Sequence, residues 1–146
     1  MPRGKRLKLG DIYEIELPNG KKAYARLFKE FTLAFYNGFY NDYAEVPFAE
    51  SYFRYIGVYK KVLTDGAWKV VGNRPFSKDE DAWAPPGVVV DGITGKGSLY
   101  YKGEIKPCTF EECKGLEVVA AWDRHHIVDM LMGDSKWDDA LRKPIG

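Results

Sequence analysis

The chain is poor in the residues that carry most protein chemistry. Among its 146 residues are two cysteines and two histidines. Two cysteines cannot build a disulfide-stapled mini-protein. The histidines, His125 and His126, are adjacent, and neighbours on a regular helix point about 100° apart, so both cannot face one metal. His125 and Asp129 share a face at i, i+4, but they are two ligands where zinc wants three or four. Neither sign of charge dominates, with 22 Lys and Arg against 21 Asp and Glu, which excludes a polycation that grips nucleic acid by bulk charge. No apolar run approaches the roughly 18 residues of a membrane span. The basic residues Arg3, Lys5, Arg6 and Lys8 precede no apolar stretch, so no secretory signal is expected.

Catalytic motifs are scarce as well. For residues 92–98 to form a Walker A loop, glycine would be needed at 90, where valine stands, and Ser or Thr at 97, where glycine stands. The next residues, 98–101, are strand-like, so the stretch reads as a hairpin turn. Neither Gly-x-Ser-x-Gly nor His-Glu-x-x-His occurs. Cys108 and Cys113 form a lone Cys-x4-Cys pair, weak as a zinc signal and unlike the Cys-x-x-Cys of a redox site. They read as reduced structural thiols, which fits a cytoplasmic protein. No catalytic residue, cofactor or metal ligand is assigned.

What the chain has is aromatic and apolar material: ten Tyr, eight Phe and four Trp, with hydrophobic residues at 45%. That supports a packed core and argues against disorder. The length suits a single domain over 1–146, with residues 1–9 as a basic N-terminal arm.

Residues 11–17 alternate with Tyr13, Ile15 and Leu17 on one face, a half-buried strand. Pro18-Asn19-Gly20 is a hairpin turn. Strands over 22–29 and 31–36 complete an antiparallel meander. Residues 37–50 read as a loop lying on the core. A long strand is expected over 52–63, a turn at Thr64-Asp65-Gly66 and a strand from Ala67 to Val71. Residues 73–87 read as a loop with one helical turn near 78–82. Short strands fit 88–91, 98–101 and 104–106. Thr109 and Glu112 have capping-box spacing for a short helix. Residues 116–121 suit strand or helix, and strand is the reading taken. Asp123 caps a helix over 124–132 that Gly133 stops, with Ile127, Val128, Leu131 and Met132 on one face. Ser135 caps a last short helix with Trp137, Ala140 and Leu141 on one stripe. The expected class is α+β, mainly β, with a twisted antiparallel meander sheet and short helices near the C-terminus.

Charge is uneven along the chain. Residues 111–139 hold eight acids against three bases, either an ordinary solvated surface or one suited to a basic partner. Tyr52-Phe53-Arg54-Tyr55 with Tyr59-Lys60-Lys61 comes closest to a base-stacking platform, although core packing accounts for these aromatics better.

Three stretches resemble the immunity protein 26 family of bacterial polymorphic toxin systems: Gly10-Asp11-Ile12-Tyr13-Glu14-Ile15 through Pro18-Asn19-Gly20-Lys21 to Ala23-Tyr24-Ala25-Arg26; Trp68 with Gly72-Asn73-Arg74-Pro75; and Tyr100-Tyr101-Lys102-Gly103-Glu104-Ile105-Lys106-Pro107, then Thr109, Glu111-Glu112-Cys113, Gly115-Leu116-Glu117 and Ala121-Trp122-Asp123. The resemblance covers most of the chain and is weakest over 37–50 and after Gly133. It implies a protein that neutralises a cognate toxin by forming a complex, in the cytoplasm of the producing bacterium. Neither membrane nor nucleic acid is then an expected partner. Toxin-interface candidates are Asp134, Asp138 and Asp139 as one acidic patch, Asp79, Glu80 and Asp81 as another, and Trp83, Trp137 or aromatics of the 39–48 loop as anchors. The alternatives are a small hydrolase of phosphotriester type, a label some relatives carry, and a single-stranded nucleic-acid-binding module.

Overall fold

A computed structural model describes residues 7–48, 51–91 and 93–141, with the backbone alone at 110 and 139–141. The hairpin signals form the centre. β1 (Asp11–Glu16) pairs antiparallel with β2 (Lys22–Phe28), β2 with β3 (Thr32–Tyr36), and β3 with β4 (Tyr52–Val58). β5 (Lys69–Asn73) adds to the free edge of β1, and the two-residue β9 (Ala121–Trp122) runs parallel to β4. The first sheet therefore has the order β5-β1-β2-β3-β4-β9. A second, antiparallel sheet has the order β6-β7-β8, from Gly87–Val90, Gly97–Tyr101 and Glu104–Pro107. The molecule is α+β and mainly β, as the alternation implied. The basic arm falls largely outside the described residues; Leu7 is partly buried against the main core.

Both faces of the first sheet are covered, each by a different kind of side chain. Tyr13, Ile15, Leu33, Phe35, Ile56, Val58, Trp68, Trp122 and Ile127 belong to the larger cluster. Ile12, Tyr24, Tyr36 and Val46 form a second cluster, on which Tyr40, Tyr43 and Tyr52 pack. This explains why β2 is buried nearly throughout: a strand covered on both sides cannot alternate. The expected loop on the core is present. Residues 43–45 make a single 3-10 turn, and Val46 is buried.

The second cluster is held by two buried arginines. The Arg26 guanidinium donates to the carbonyls of Arg74 (2.8 Å) and Pro75 (3.0 Å) and to the Tyr52 hydroxyl (2.9 Å), and lies 3.8 Å from the centre of the Phe76 ring. Arg74 donates to the carbonyls of Val46 (2.9 Å) and Pro47 (2.7 Å) and to the Tyr43 hydroxyl (3.0 Å). The forked geometry of arginine suits such multiple acceptance by carbonyls.

Several expectations are corrected. The strand expected over 52–63 ends at Val58, and Lys60–Thr64 form a helical turn, α1. Val62 and Leu63 are consecutive and both buried. A strand would turn one of them outward, whereas a helix tucked under the sheet edge buries both. Glu30 and Phe31 are turn residues with φ of 61° and 54°, so β3 begins at Thr32. In α3 (Arg124–Leu131) Ile127 and Leu131 are buried, but Met132 comes after the helix as its C-cap and is exposed, while Met130 packs instead. At the start of α4 (Lys136–Leu141) the Asp134 carboxylate accepts the Lys136 N–H, at 3.0 Å, from one residue before the Ser135 cap position.

Cys108 and Cys113 are joined as a disulfide rather than free. The capping box of α2 (Phe110–Cys113) explains the proximity. Thr109 N–H donates to Glu112 (3.0 Å) and Glu112 N–H to the Thr109 hydroxyl (3.2 Å), so one turn brings the two Cα atoms to 6.3 Å. Closing a loop this short contributes about 2 kcal/mol. Protein purified in air and unfolded without reductant should show no titratable thiol and, after reduction, two. Reduction should lower the urea midpoint modestly while leaving a single cooperative transition.

Candidate functional site

The two sheets are tied together by one extended stretch, residues 117–122. At its start, Val88 of β6 donates to the Glu117 carbonyl (2.9 Å) and accepts from Val119 N–H (2.8 Å). At its end, Ala121 and Trp122 pair with Gly57 and Val58 of β4. Both crossings are tight at a glycine. A Cβ on Gly57 would lie 3.0 Å from the Ala120 carbonyl oxygen, and one on Gly87 would lie 3.0 Å from that of Glu117. A side chain at either position would push the facing backbone away by a few tenths of an ångström.

Above this strap lies a cleft of about 820 Å³. It is walled by β4 (Phe53, Arg54, Tyr55), the β2–β3 turn (Lys29, Glu30, Phe31), the 83–87 loop with Trp83, the β7–β8 hairpin (Tyr100, Tyr101, Lys102) and the strap itself. Its walls are apolar and open: Phe31, Phe53, Tyr101 and Val119 are each 40–48% exposed. Among the described residues, the non-glycine positions with positive φ are Glu30, Phe31 and Lys102, and all three line this cleft. Side chains at such angles cost roughly 1–2 kcal/mol each. The surrounding contacts hold them there, as is common at functional surfaces.

The charges at the cleft are already matched. Lys29 pairs with Asp79 (2.5 Å) and lies 4.8 Å from the centre of the Trp83 ring. Lys102 lies 3.9 Å from Glu80. Arg54 is held by Glu117 (Nε–Oε1 2.5 Å) and Asp138 (2.5 and 3.1 Å), with its guanidinium 4.9 Å from the centre of the Trp122 ring. Burial pulls the Arg54 guanidinium down, but its bonds to Asp138 and Glu117 outweigh that and hold it above the usual arginine range. Tyr100 donates to Glu30, and that bond, aided by burial, pushes its hydroxyl up to about 12. Asp81 is exposed and pairs with no cation among the described residues.

The candidates read from sequence are thus divided. Trp83 and Asp138 line the cleft, while Asp79, Glu80 and Asp81 sit on the adjoining 3-10 turn (Asp79–Ala82), the first two bonded to the lining Lys29 and Lys102. Asp134 lies elsewhere, paired with Lys136. Trp137 donates to Asp129 (2.7 Å), so it serves the α3–α4 contact. Asp139 lies on α4, and its side chain is outside the described residues. Sequence reading did not single out Phe31 or Glu117 for this surface. Phe53 and Arg54 stood out only as part of an aromatic stretch, and Tyr100 and Tyr101 only as part of a strand and of the third resembling stretch.

A second, smaller cavity near α3 is lined by Lys61, Asp65, Asp123, Arg124, His125, Val128 and Asp129. Among the described residues, no group of three or more His, Cys, Asp or Glu is placed to hold a metal ion. His126 completes the α3 cap: its Nδ1 accepts the Asp123 N–H at 2.9 Å. Burial, then the neighbouring His125, lowers its pKa, against the opposing pull of Asp123 and Asp129. The neutral ring is therefore the native form. The contribution is complete above the unfolded histidine value near pH 6.5 and is lost as pH falls from there toward the lower folded value. His125, Asp123 and Asp129 supply the neighbouring charge, and the Trp122 and Trp137 rings pack around it. The urea midpoint should therefore drop between pH 7.5 and 5.5, and His126→Asn should flatten that dependence; an unchanged slope would disprove the assignment.

Among the described residues, no helix is long and apolar enough to cross a membrane. In comparisons with known proteins, the chain matches no family model, no curated protein and no solved structure.

Proposed function

We propose that this chain is an immunity protein that neutralises a cognate bacterial toxin domain by forming a protein–protein complex in the cytoplasm of the producing cell. The observation that carries the reading is an open aromatic cleft with an acidic mouth. Phe31, Phe53 and Tyr101 are exposed along it, and the acidic turn beside it sends Asp79 and Glu80 to its lining Lys29 and Lys102, with Asp81 exposed on the same turn. Exposed aromatics grouped in a cleft are the usual energetic anchors of interfaces. Each lysine or arginine lining the cleft already holds a carboxylate, which favours a basic protein over a phosphate backbone. Toxins that act on nucleic acid carry basic surfaces where they grip phosphate, so an acidic inhibitor both steers association and competes with the substrate. The sequence resemblance points the same way. Reduction of the Cys108–Cys113 bond in a cytoplasm opens a loop of sequence separation 5, too small a change to dismantle the cleft.

The experiment is co-expression with the toxin encoded beside this gene. Growth should be restored and the two proteins should co-purify in equal amounts. Persistent toxicity with abundant soluble protein, together with no co-purification, would refute the reading.

A further inference from the structure

We infer that the intersheet cleft takes an extended polypeptide segment of the partner, one carrying arginine or lysine beside an aromatic or aliphatic anchor side chain. This inference rests on the reading above and specifies its interface. The cleft volume, about 820 Å³, is within the roughly 300–1,000 Å³ of sites that enclose a compact ligand. It admits a few side chains rather than a globular surface. Its walls fit an apolar anchor, because Phe53 on one side and Tyr101 on the other leave 47% and 40% of their surface uncovered.

Charge decides what accompanies the anchor. The lining residues Lys29, Arg54 and Lys102 balance Glu30, Glu117 and Asp138. The adjoining turn then adds Asp79, Glu80 and Asp81 against Lys78, so the mouth has a surplus of two negative charges. An anionic segment would have to displace an existing ion pair to find a cation. A cationic one meets an adjoining turn of three carboxylates, of which Asp81 is exposed and pairs with no cation among the described residues. Contacts across the cleft, Tyr100 to Glu30 and Lys102 to Glu80, tie its walls to one another, which limits the ordering left to be done on binding.

The test is selection of a random dodecapeptide library on the intact protein, with Phe53→Lys as the counter-selection target. Phe53 is 47% exposed, and unfolding curves should show that this variant stays folded. The expected result is enrichment of peptides pairing arginine or lysine with an aromatic or aliphatic residue. Their binding should weaken at least tenfold in Phe53→Lys and several-fold in Asp81→Lys, the latter with a shallower salt dependence. Enrichment of acidic peptides, equal recovery on Phe53→Lys, or no enrichment would overturn the inference, as would self-association of the protein through this cleft in sedimentation. Toxin rescue that survives Phe53→Lys would overturn it while leaving the immunity reading intact; loss of rescue by the wild-type protein is a failure of that reading instead.

Discussion

Arg26→Ala is expected to lower the unfolding free energy by about 4 kcal/mol, a large part of the margin of an ordinary domain. Arg26 is 3% exposed. Its guanidinium is the shared donor for two carbonyls at 74 and 75 and for the Tyr52 hydroxyl. Hydrogen bonds to a charged group contribute about 1.5–3 kcal/mol each, and buried acceptors left without donors add to the cost. The lost stacking on Phe76 removes packing as well. Arg26→Lys tests the geometry separately. An ammonium keeps the charge but not the fork, so this variant should recover no more than about half of the loss. Urea denaturation monitored by circular dichroism reads both. A loss below about 1 kcal/mol in the alanine variant would mean that the 74–76 segment is held by other contacts.

The second large effect is expected at Trp122. It is 2% exposed, belongs to the main cluster, and lies at the end of the strap beneath Arg54. Trp122→Ala should cost about 4 kcal/mol, from the lost apolar burial and the cavity left behind. It should also release the β4 end of the strap, since the Trp122 carbonyl accepts from Tyr59 N–H at 3.2 Å. Hydrogen exchange should therefore rise at Tyr59 more than at Val119, which stays bonded to Val88 at the other end of the strap, or at Leu33 in the centre of the sheet. Trp122→Phe keeps most of the packing and should lose much less. Uniform acceleration of exchange in both variants would argue against a local role for the strap.

Much of the fold was legible because local chemistry and tertiary packing agree there. Pro18-Asn19-Gly20 closes the first hairpin, and Tyr13, Ile15 and Leu17 face one core as their alternation implies. The caps at Thr109 and Asp123 are where spacing placed them. The misreadings arise where one signal fits two structures. Val62-Leu63 is as apolar as a strand core, yet it lies in a helical turn. Glu30-Phe31 makes a tight turn without the glycine or asparagine that would announce one. The site was only half legible for a similar reason. The acidic run at 79–81 is visible in sequence, but its partners, Lys29 and Lys102, are 50 and 22 residues away. Arg54 and Glu117 are 63 residues apart. Nothing local marks such pairs.

The strap also bears on how this surface could change over generations. It is hydrogen-bonded to a different sheet at each end. Inserting or deleting a single residue between 118 and 121 would slide one attachment by about 3.3 Å and turn the intervening side chains to the opposite side. Length variation, the usual route by which loops acquire new specificities, is closed to it. Recognition of a new partner must come instead from exchanging individual side chains around an aperture of constant width.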